Sequence, residues 1–439
     1  MDTPIYDFVK NYKNQKFSRF HMPGHKGKKI LGVEDIDITE ISGADCLFAA
    51  DGIIKLSQEN TSKIFGTSYT YYSTEGSTLC IKAMLGAVAE GKSGKILAGR
   101  NAHKAFIYAA ASLNIEVDWA YGKSDHLCRL NITDSDIENL LKNGKYIAVY
   151  LTNPDYLGNL LDIAGIGEIC RKYNVPLIVD NAHGAYLKFL KESQHPIDLG
   201  ADMCCDSAHK TLPVLTGGAY LHVKNPEYCS KILKYLAFFG STSPSYLILQ
   251  SLDICNKYLD ADIKEDIEKT VARIEKIKKT AKRRGFVLAD TEPLKLTVNI
   301  ALSGYTKQEF LKLLRKKRIE IEFCDNCFAV FMFTPKNSQK DFARLEKFFA
   351  ENKGKAPLRT QIPPIIQGKK AMTLRKALLC ESEKVKVSKA VGRVCAAPDC
   401  SCPPAVPIVI SGETIEDGHI KAFDYYGIEE IEVVKKDKN

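Results

Sequence analysis

Residues 205–220 read CDSAHKTLPVLTGGAY. Lys210 sits behind Ser207 and His209 and just ahead of a loop that closes on Gly217 and Gly218. A lysine on a solvated helix face needs no such setting, so its surroundings are the first thing to read. On either side lie two short strand-like runs, MCCDS (203–207) and AYLHV (219–223). Thirty residues before Lys210, the run PLIVD (176–180) ends on an acid, Asp180.

The same punctuation extends upstream. GKILAG (94–99), EVDWAY (116–121) and YIAVYLT (146–152) are further strand-like runs, and helix-patterned stretches such as STLCIKAMLGAVAEG (77–91) and IAGIGEICRKYN (163–174) lie between such runs. Strand, helix, strand repetition with apolar strands predicts an α/β fold built on a mostly parallel sheet covered on both faces. Ligands of such sheets gather at the carboxyl ends of the strands, and the unusual residues of this chain fall there.

Downstream, a helical stretch from about 246 to 284 gives way to LKLTVNI (294–300), TKQEFLKLLRKKR (306–318), IEIEFCDNCFAVFMF (319–333) and SQKDFARLEKFFAEN (338–352), the pattern of a smaller α+β domain. The proline-rich QIPPIIQG (361–368) reads as a linker into a last unit that contains CPPAVPIVISGE (402–413). The expected organisation is an N-terminal arm over 1–45, a large ligand-binding domain over 46–285, a small α+β domain over 286–360 and a C-terminal domain over 361–439.

Composition narrows the function classes. With 439 residues, 45% hydrophobic and 26% charged, the chain has material for two or three domains with a substantial core, which excludes global disorder. The 62 Lys+Arg against 53 Asp+Glu give +9, but the basic residues are scattered through segments such as KTVARIEKIKKTAKRR (269–284), the signature of a solvated helix face. Without an arginine-rich arm, zinc-finger spacing or RNA-binding aromatics, no nucleic-acid partner is expected. The start MDTPIYDFVKNYKNQ lacks the apolar core of a signal peptide and no run of 18 apolar residues occurs, so no membrane partner and a cytoplasmic location with reduced thiols are expected for the 14 cysteines. Cys324 and Cys327 make one CxxC inside an apolar, strand-like run, and Cys395, Cys400 and Cys402 cluster near the C-terminus. A zinc site needs about four ligands in matched pairs, and no structural zinc is expected here.

The chemistry comes from combining residues that are ambiguous singly. An aspartate after a strand commonly caps a helix, and a lysine is commonly solvated. An aspartate and a lysine at successive strand ends suit pyridoxal 5'-phosphate (PLP). The lysine forms a Schiff base with the aldehyde, and the carboxylate keeps the pyridine nitrogen protonated so that the ring accepts electrons. In YYSTEGSTLCIKAML, Gly76, Ser77 and Thr78 open a helical pattern where free N–H groups and hydroxyls can hold a phosphate dianion, although a plain capped helix would use the same small residues. Ser207 and His209 can complete that cup. His103, after GKILAG, is the candidate plate over one face of the ring, with Ala182 on the other.

Together FHMPGHKG (20–27), the EGST turn (75–78), NAHKA (101–105), TNPDYLG (152–158), VDNAHGAY (179–186), DSAHKTLPVLTGGAY (206–220), STSPSYLILQSLD (241–253) and CPPAVPIVISGE resemble the Orn/Lys/Arg decarboxylase family of PLP enzymes, in the family's order and over nearly the entire chain. The resemblance is to the short form, without the response-regulator-like domain that precedes this region in larger members. It implies PLP fold type I, the aspartate aminotransferase fold, and decarboxylation of arginine, lysine or ornithine to the matching amine.

Residue by residue, it assigns Lys210 to the Schiff base, Asp180 to the pyridine nitrogen and His103 to the stacking position. Ser77, Thr78, Ser207 and His209 become phosphate contacts, and His183 the histidine beside the cofactor. Lys210 or His209 becomes the group that reprotonates Cα. It also implies a homodimer in which Ser241 and Thr242 reach the partner's phosphate. The receptor for the substrate's distal cation is not assigned, and Asp45 is the one acidic residue singled out for it.

The chain departs from the family at Gly217, where Gln commonly follows the Ser/Thr, and at Ala405, in a motif that usually reads PPGxP. Loss of a hydrogen-bonding side chain at 217, close to the cofactor pocket, is expected to enlarge the pocket or admit a different amino acid. Another fold type I activity, an aminotransferase or lyase, and a catalytically silent binding protein stay open beside decarboxylation.

Overall fold

The computed structural model describes residues 1–398 and 404–436, so Cys400 and Cys402 lie outside the described residues. Two compact units divide the chain: residues 1–93, 147–151 and 163–266 form one, and residues 94–146, 152–162 and 267–439 the other.

The six expected strand runs are strands: β2 (Lys95–Gly99), β3 (Glu116–Ala120), β4 (Tyr146–Thr152), β5 (Leu177–Asp180), β6 (Met203–Asp206) and β7 (Ala219–Val223). A seventh, β1 (Tyr69–Ser73), was not expected; it pairs antiparallel with β7, with Tyr69 opposite Val223 and Ser73 opposite Ala219. The sheet order is β1-β7-β6-β5-β4-β2-β3. β5 runs parallel to β6 and β2 parallel to β3, whereas β7 is antiparallel to β6. Every residue of β5 and of β6 is buried, the environment that makes such strands read as continuous apolar runs. Their polar residues are confined to the last position, Asp180 and Asp206.

In the first unit, helix Gly76–Ala89 follows β1 and buries nine of its fourteen residues, among them Leu79, Met84 and Val88. In the second, a four-stranded sheet has the order β10-β11-β9-β8, from β8 (Val287–Leu288), β9 (Lys295–Asn299), β10 (Phe323–Cys324) and β11 (Phe328–Met332). Its helices Lys307–Lys316 and Gln339–Glu351 each begin with a capping box, Thr306 with Glu309 and Ser338 with Asp341. The CxxC is the turn between β10 and β11, where Asp325 Oδ1 accepts from the Cys327 and Phe328 N–H groups. A last ribbon pairs β12 (Ser382–Lys386) with β13 (Glu430–Val434). Among the described residues no helix is long and apolar enough to cross a membrane.

The C-terminal motif is fastened by a buried cation. Arg100, 1% exposed, donates from both terminal nitrogens to the Pro407 and Ile408 carbonyls at 2.9 and 2.8 Å, and the Lys104 N–H donates to the Ala405 carbonyl at 2.9 Å. The departure at Ala405 carries a backbone cost. The residue is fully buried at φ +57°, a left-handed backbone in which a Cβ costs about 1–2 kcal/mol and glycine costs nothing. Ala405→Gly relieves that strain at an entropic cost of about 0.4–1 kcal/mol in the unfolded chain. The variant is expected to unfold in urea at an equal or higher midpoint than the natural chain; a loss of about 1 kcal/mol would contradict the strain.

Candidate active site

Asp180 is the last residue of β5 and is 3% exposed. Three donors orient its carboxylate. Tyr150, on the neighbouring β4, donates its hydroxyl to Oδ2 at 3.2 Å, while Oδ1 accepts from the Ala182 N–H at 3.2 Å and from the Cys205 thiol at 3.7 Å. Burial, reinforced by the Asp180 charge, pushes the Cys205 thiol far above its ordinary pKa, so it stays protonated and able to donate.

Lys210 lies on the single helical turn Ala208–Thr211 that follows β6. The Lys210 N–H donates to the Ser207 carbonyl at 2.9 Å, and Lys210 Nζ lies 3.0 Å from Nε2 of His183, which is 5% exposed. Ser207 donates its hydroxyl to Ser77 Oγ at 2.9 Å. His209 sends both its backbone N–H and its Nδ1 to the Gly218 carbonyl, at 3.2 and 3.0 Å. An Nδ1 facing a carbonyl carries the proton, which leaves Nε2 as an acceptor. Burial and then the Lys210 charge lower the His209 pKa against that hydrogen bond, so the ring is neutral near pH 7.

Ser77 and Thr78 sit in the first turn of helix Gly76–Ala89, whose leading N–H groups have no partner inside the helix. Gly76 itself, at φ +69°, donates to the Gly217 carbonyl at 2.7 Å, and no atom lies within 4 Å of where its Cβ would stand. An open anion cradle, a lysine amine next to a buried histidine and an oriented carboxylate at the adjacent strand end are together the donor set that PLP requires.

The other expected residues are placed as follows. Thr78 and Thr242 are exposed, and the Ser241 N–H donates to Glu75 of its own chain at 2.7 Å. His103 lies in the second unit and caps helix Lys104–Ser112, accepting from the Ala105 N–H at 3.1 Å. Asp45 is not a receptor for a substrate cation. Its carboxylate is filled by backbone N–H groups, with Cys46 and Asp51 on Oδ1 and Gly52 and Ile54 on Oδ2 at 2.9–3.1 Å, so it builds the start of helix Ile53–Phe65. The expectation of an enlarged pocket at position 217 is also overturned. Gly217 is at φ +98°, and a Cβ there would stand 2.8 Å from the Thr74 carbonyl oxygen. The glycine closes the lysine loop onto the EGST turn and opens no space.

Sequence reading missed Tyr150, Cys205, Asn181, Asp206, His195 and His222. Asp206 had a usable signal, an acid ending an apolar strand as Asp180 does. The histidines had none, because nothing local shows that β7 and the loop before β6 turn both rings onto the same acid.

A family model described as Orn/Lys/Arg decarboxylase, major domain, matches residues 3–342. The chain is 30% identical over 457 residues to the uncharacterized protein YaaO of Bacillus subtilis, covering 94% of this chain and 92% of that one. It is 28% identical over 462 residues to the arginine decarboxylase of Bacillus subtilis, covering 95% and 92%. The constitutive lysine decarboxylase of E. coli shares the fold at TM-score 0.80 and 18% identity, over 99% of this chain and 82% of that one. The Francisella novicida lysine decarboxylase LdcF does so at 0.80 and 16%, over 99% and 81%.

Asp180→Asn keeps the shape of the acid but cannot hold a pyridine nitrogen protonated. The variant is expected to retain PLP on gel filtration and to lose turnover by on the order of 100-fold or more. Undiminished turnover would assign the nitrogen to another residue.

Proposed function

The chain belongs to the Orn/Lys/Arg decarboxylase family, and on that premise we propose that it removes the α-carboxylate of arginine, lysine or ornithine as CO2, leaving agmatine, cadaverine or putrescine. It is a PLP-dependent decarboxylase with the fold of PLP fold type I enzymes. The observation that carries the reading at residue level is the approach of Lys210 Nζ to His183 at the end of β6, beside the oriented Asp180 at the end of β5.

Bound PLP supplies an aldehyde for amines and a protonated ring that accepts the electron pair left by CO2. The chain's residues do the rest. Lys210 Nζ is the covalent attachment point, and Asp180, held by Tyr150, Cys205 and the Ala182 N–H, keeps a proton at the ring nitrogen. Ser77, Thr78, Ser207 and the first N–H groups of helix Gly76–Ala89 take the phosphate, with His209 at its edge and Thr242 offered by a second copy. Ala182, next to Asp180, would pack against one face of the ring.

After CO2 leaves, a proton must return to the substrate's Cα. Lys210 Nζ carries one, and His209 Nε2, as the unprotonated nitrogen of a neutral ring, can relay one. Holding the scissile bond in the reactive orientation selects decarboxylation over transamination.

The arginine decarboxylase relatives, similar over nearly the whole chain, support a basic substrate. The family also supports a homodimer, and the exposed Phe20, Ile30 and Leu31 of the N-terminal arm suit burial by a second copy. We place this enzyme in the cytoplasm, in polyamine synthesis.

A panel of carboxyl-labelled amino acids tests the substrate class. At least one of arginine, lysine or ornithine is expected to release CO2 with one equivalent of its amine, while acidic and aromatic amino acids react poorly. No CO2 from any of the three, with conversion of a neutral amino acid or of a 2-oxo acid, would overturn the substrate or the reaction.

A further inference from the structure

One cluster of titratable groups has no part in the chemistry above. Asp206, His195 and His222 are each 0% exposed, and one ligand-type atom from each lies within 4.8 Å of the others. Asp206 Oδ2 faces His195 Nε2 at 3.1 Å and His222 Nε2 at 3.2 Å, and Oδ1 accepts from Asn181 Nδ2 at 2.7 Å. Phe65 covers the group, its ring centroid 4.2 Å from that of His222 and 5.3 Å from that of His195.

Two histidines and a carboxylate can hold a metal ion, but the proton positions argue otherwise. The Ile197 N–H points at His195 Nδ1 at 3.4 Å, so Nδ1 accepts and the ring proton sits on Nε2. His222 Nδ1 lies 2.9 Å from the Thr70 hydroxyl, which can donate to it and leave Nε2 as the donor. Both Nε2–H groups then point at one carboxylate oxygen, where a metal would need bare lone pairs. Burial alone would raise the Asp206 pKa, but the two histidines prevail and hold the carboxyl far below its ordinary value, so it is ionised and accepts every donor around it.

What this anion joins is informative. Asp206 ends β6 and immediately precedes Ser207, in the turn that carries Lys210. Asn181 immediately follows Asp180 and extends the ladder by donating its N–H to the Cys205 carbonyl at 2.9 Å. His222 lies on β7, opposite Cys204 of β6. The Asn181–Asp206 hydrogen bond is therefore a crossbar between the strand end that bears Asp180 and the one that bears Ser207 and Lys210.

We propose that Asp206, braced by His195 and His222, is a positioning residue that acts through Asn181 to fix the separation between the Asp180 carboxylate and the Lys210 turn, and so the fit of PLP between its anchors. This rests on the assignment of Asp180 and Lys210 made above.

Two substitutions separate positioning from ordinary core stability. Asn181→Ala cuts the crossbar and leaves Asp206 with its two histidines. Asp206→Asn removes the charge and can keep the geometry, because its carbonyl can still accept from the histidines and, with the Asn181 amide turned over, its NH2 can donate to Asn181 Oδ1, a buried oxygen without a partner in the natural chain. In PLP titrations of the full chain, Asn181→Ala is expected to raise the PLP dissociation constant by on the order of tenfold and to shift the absorbance band of the lysine-bound cofactor. Asp206→Asn is expected to stay close to the natural chain on both readouts, and Asp206→Ala to fall with Asn181→Ala. As a control, Phe310→Leu, buried in the second unit, should lower the melting temperature without changing either readout.

The proposal is overturned if Asn181→Ala melts earlier but binds PLP with unchanged affinity and absorbance, if Asp206→Asn is as damaging as Asp206→Ala, or if the purified protein holds one equivalent of a transition metal that His222→Gln removes. Should Asn181→Ala fail to fold, Asn181→Ser gives the same comparison with a shorter side chain. If the natural chain itself forms no lysine-bound cofactor band, the functional assignment fails instead, and the two failures are distinguishable.

Discussion

The parallel pairing of β5 with β6 is the constraint on which the site depends. It sets Asp180 opposite Cys205 and ends both strands together, so residues thirty apart in sequence become neighbours at one edge of the sheet. Both strands are buried along their whole length and carry their acids only at the last position, so the apolar runs and the reactive residues follow from one rule. β7 adds to it by running antiparallel back along β6. Its incoming loop brings Gly217 and Gly218 over the lysine turn, where their carbonyls accept from Gly76 and His209.

Hydrogen bonds then grade the polarity of the strand ends. The Asp180 carboxylate receives a hydroxyl, a thiol and an N–H, and none of these brings a positive charge. Such neighbours orient an acid without competing for it as an ion pair would, which suits a carboxylate whose proposed partner is a protonated ring nitrogen. Lys210 Nζ lies 3.0 Å from a histidine nitrogen, so a ring that can accept a proton stands next to the amine. Asp206, one strand over, is instead saturated by donors on both oxygens.

Much of this was legible in the sequence where the signal is local. PLIVD and MCCDS mark buried strands by composition, and an acid at the end of such a run is conspicuous. The EGST turn and the lysine turn were legible for the same reason. What stayed hidden depends on which segments the fold sets side by side. YTYYS is polar and aromatic, and it is a strand because β7 lies beside it. His195 and His222 gain meaning only through Asp206. Asp45 and Gly217 failed for a related reason: a side-chain list does not show that a carboxylate is already filled by backbone N–H groups, or that a missing side chain has a carbonyl in its place. Ala405 is the converse, a side chain where the backbone favours none.

The central claim is that Lys210, and no other of the chain's many lysines, carries PLP. Reducing the PLP-loaded protein with borohydride and mapping its peptides by mass spectrometry tests it most directly. The account predicts the pyridoxyl group on the peptide that contains Lys210, at that residue. Its appearance on another lysine, or its absence from a protein that binds PLP, would contradict the account.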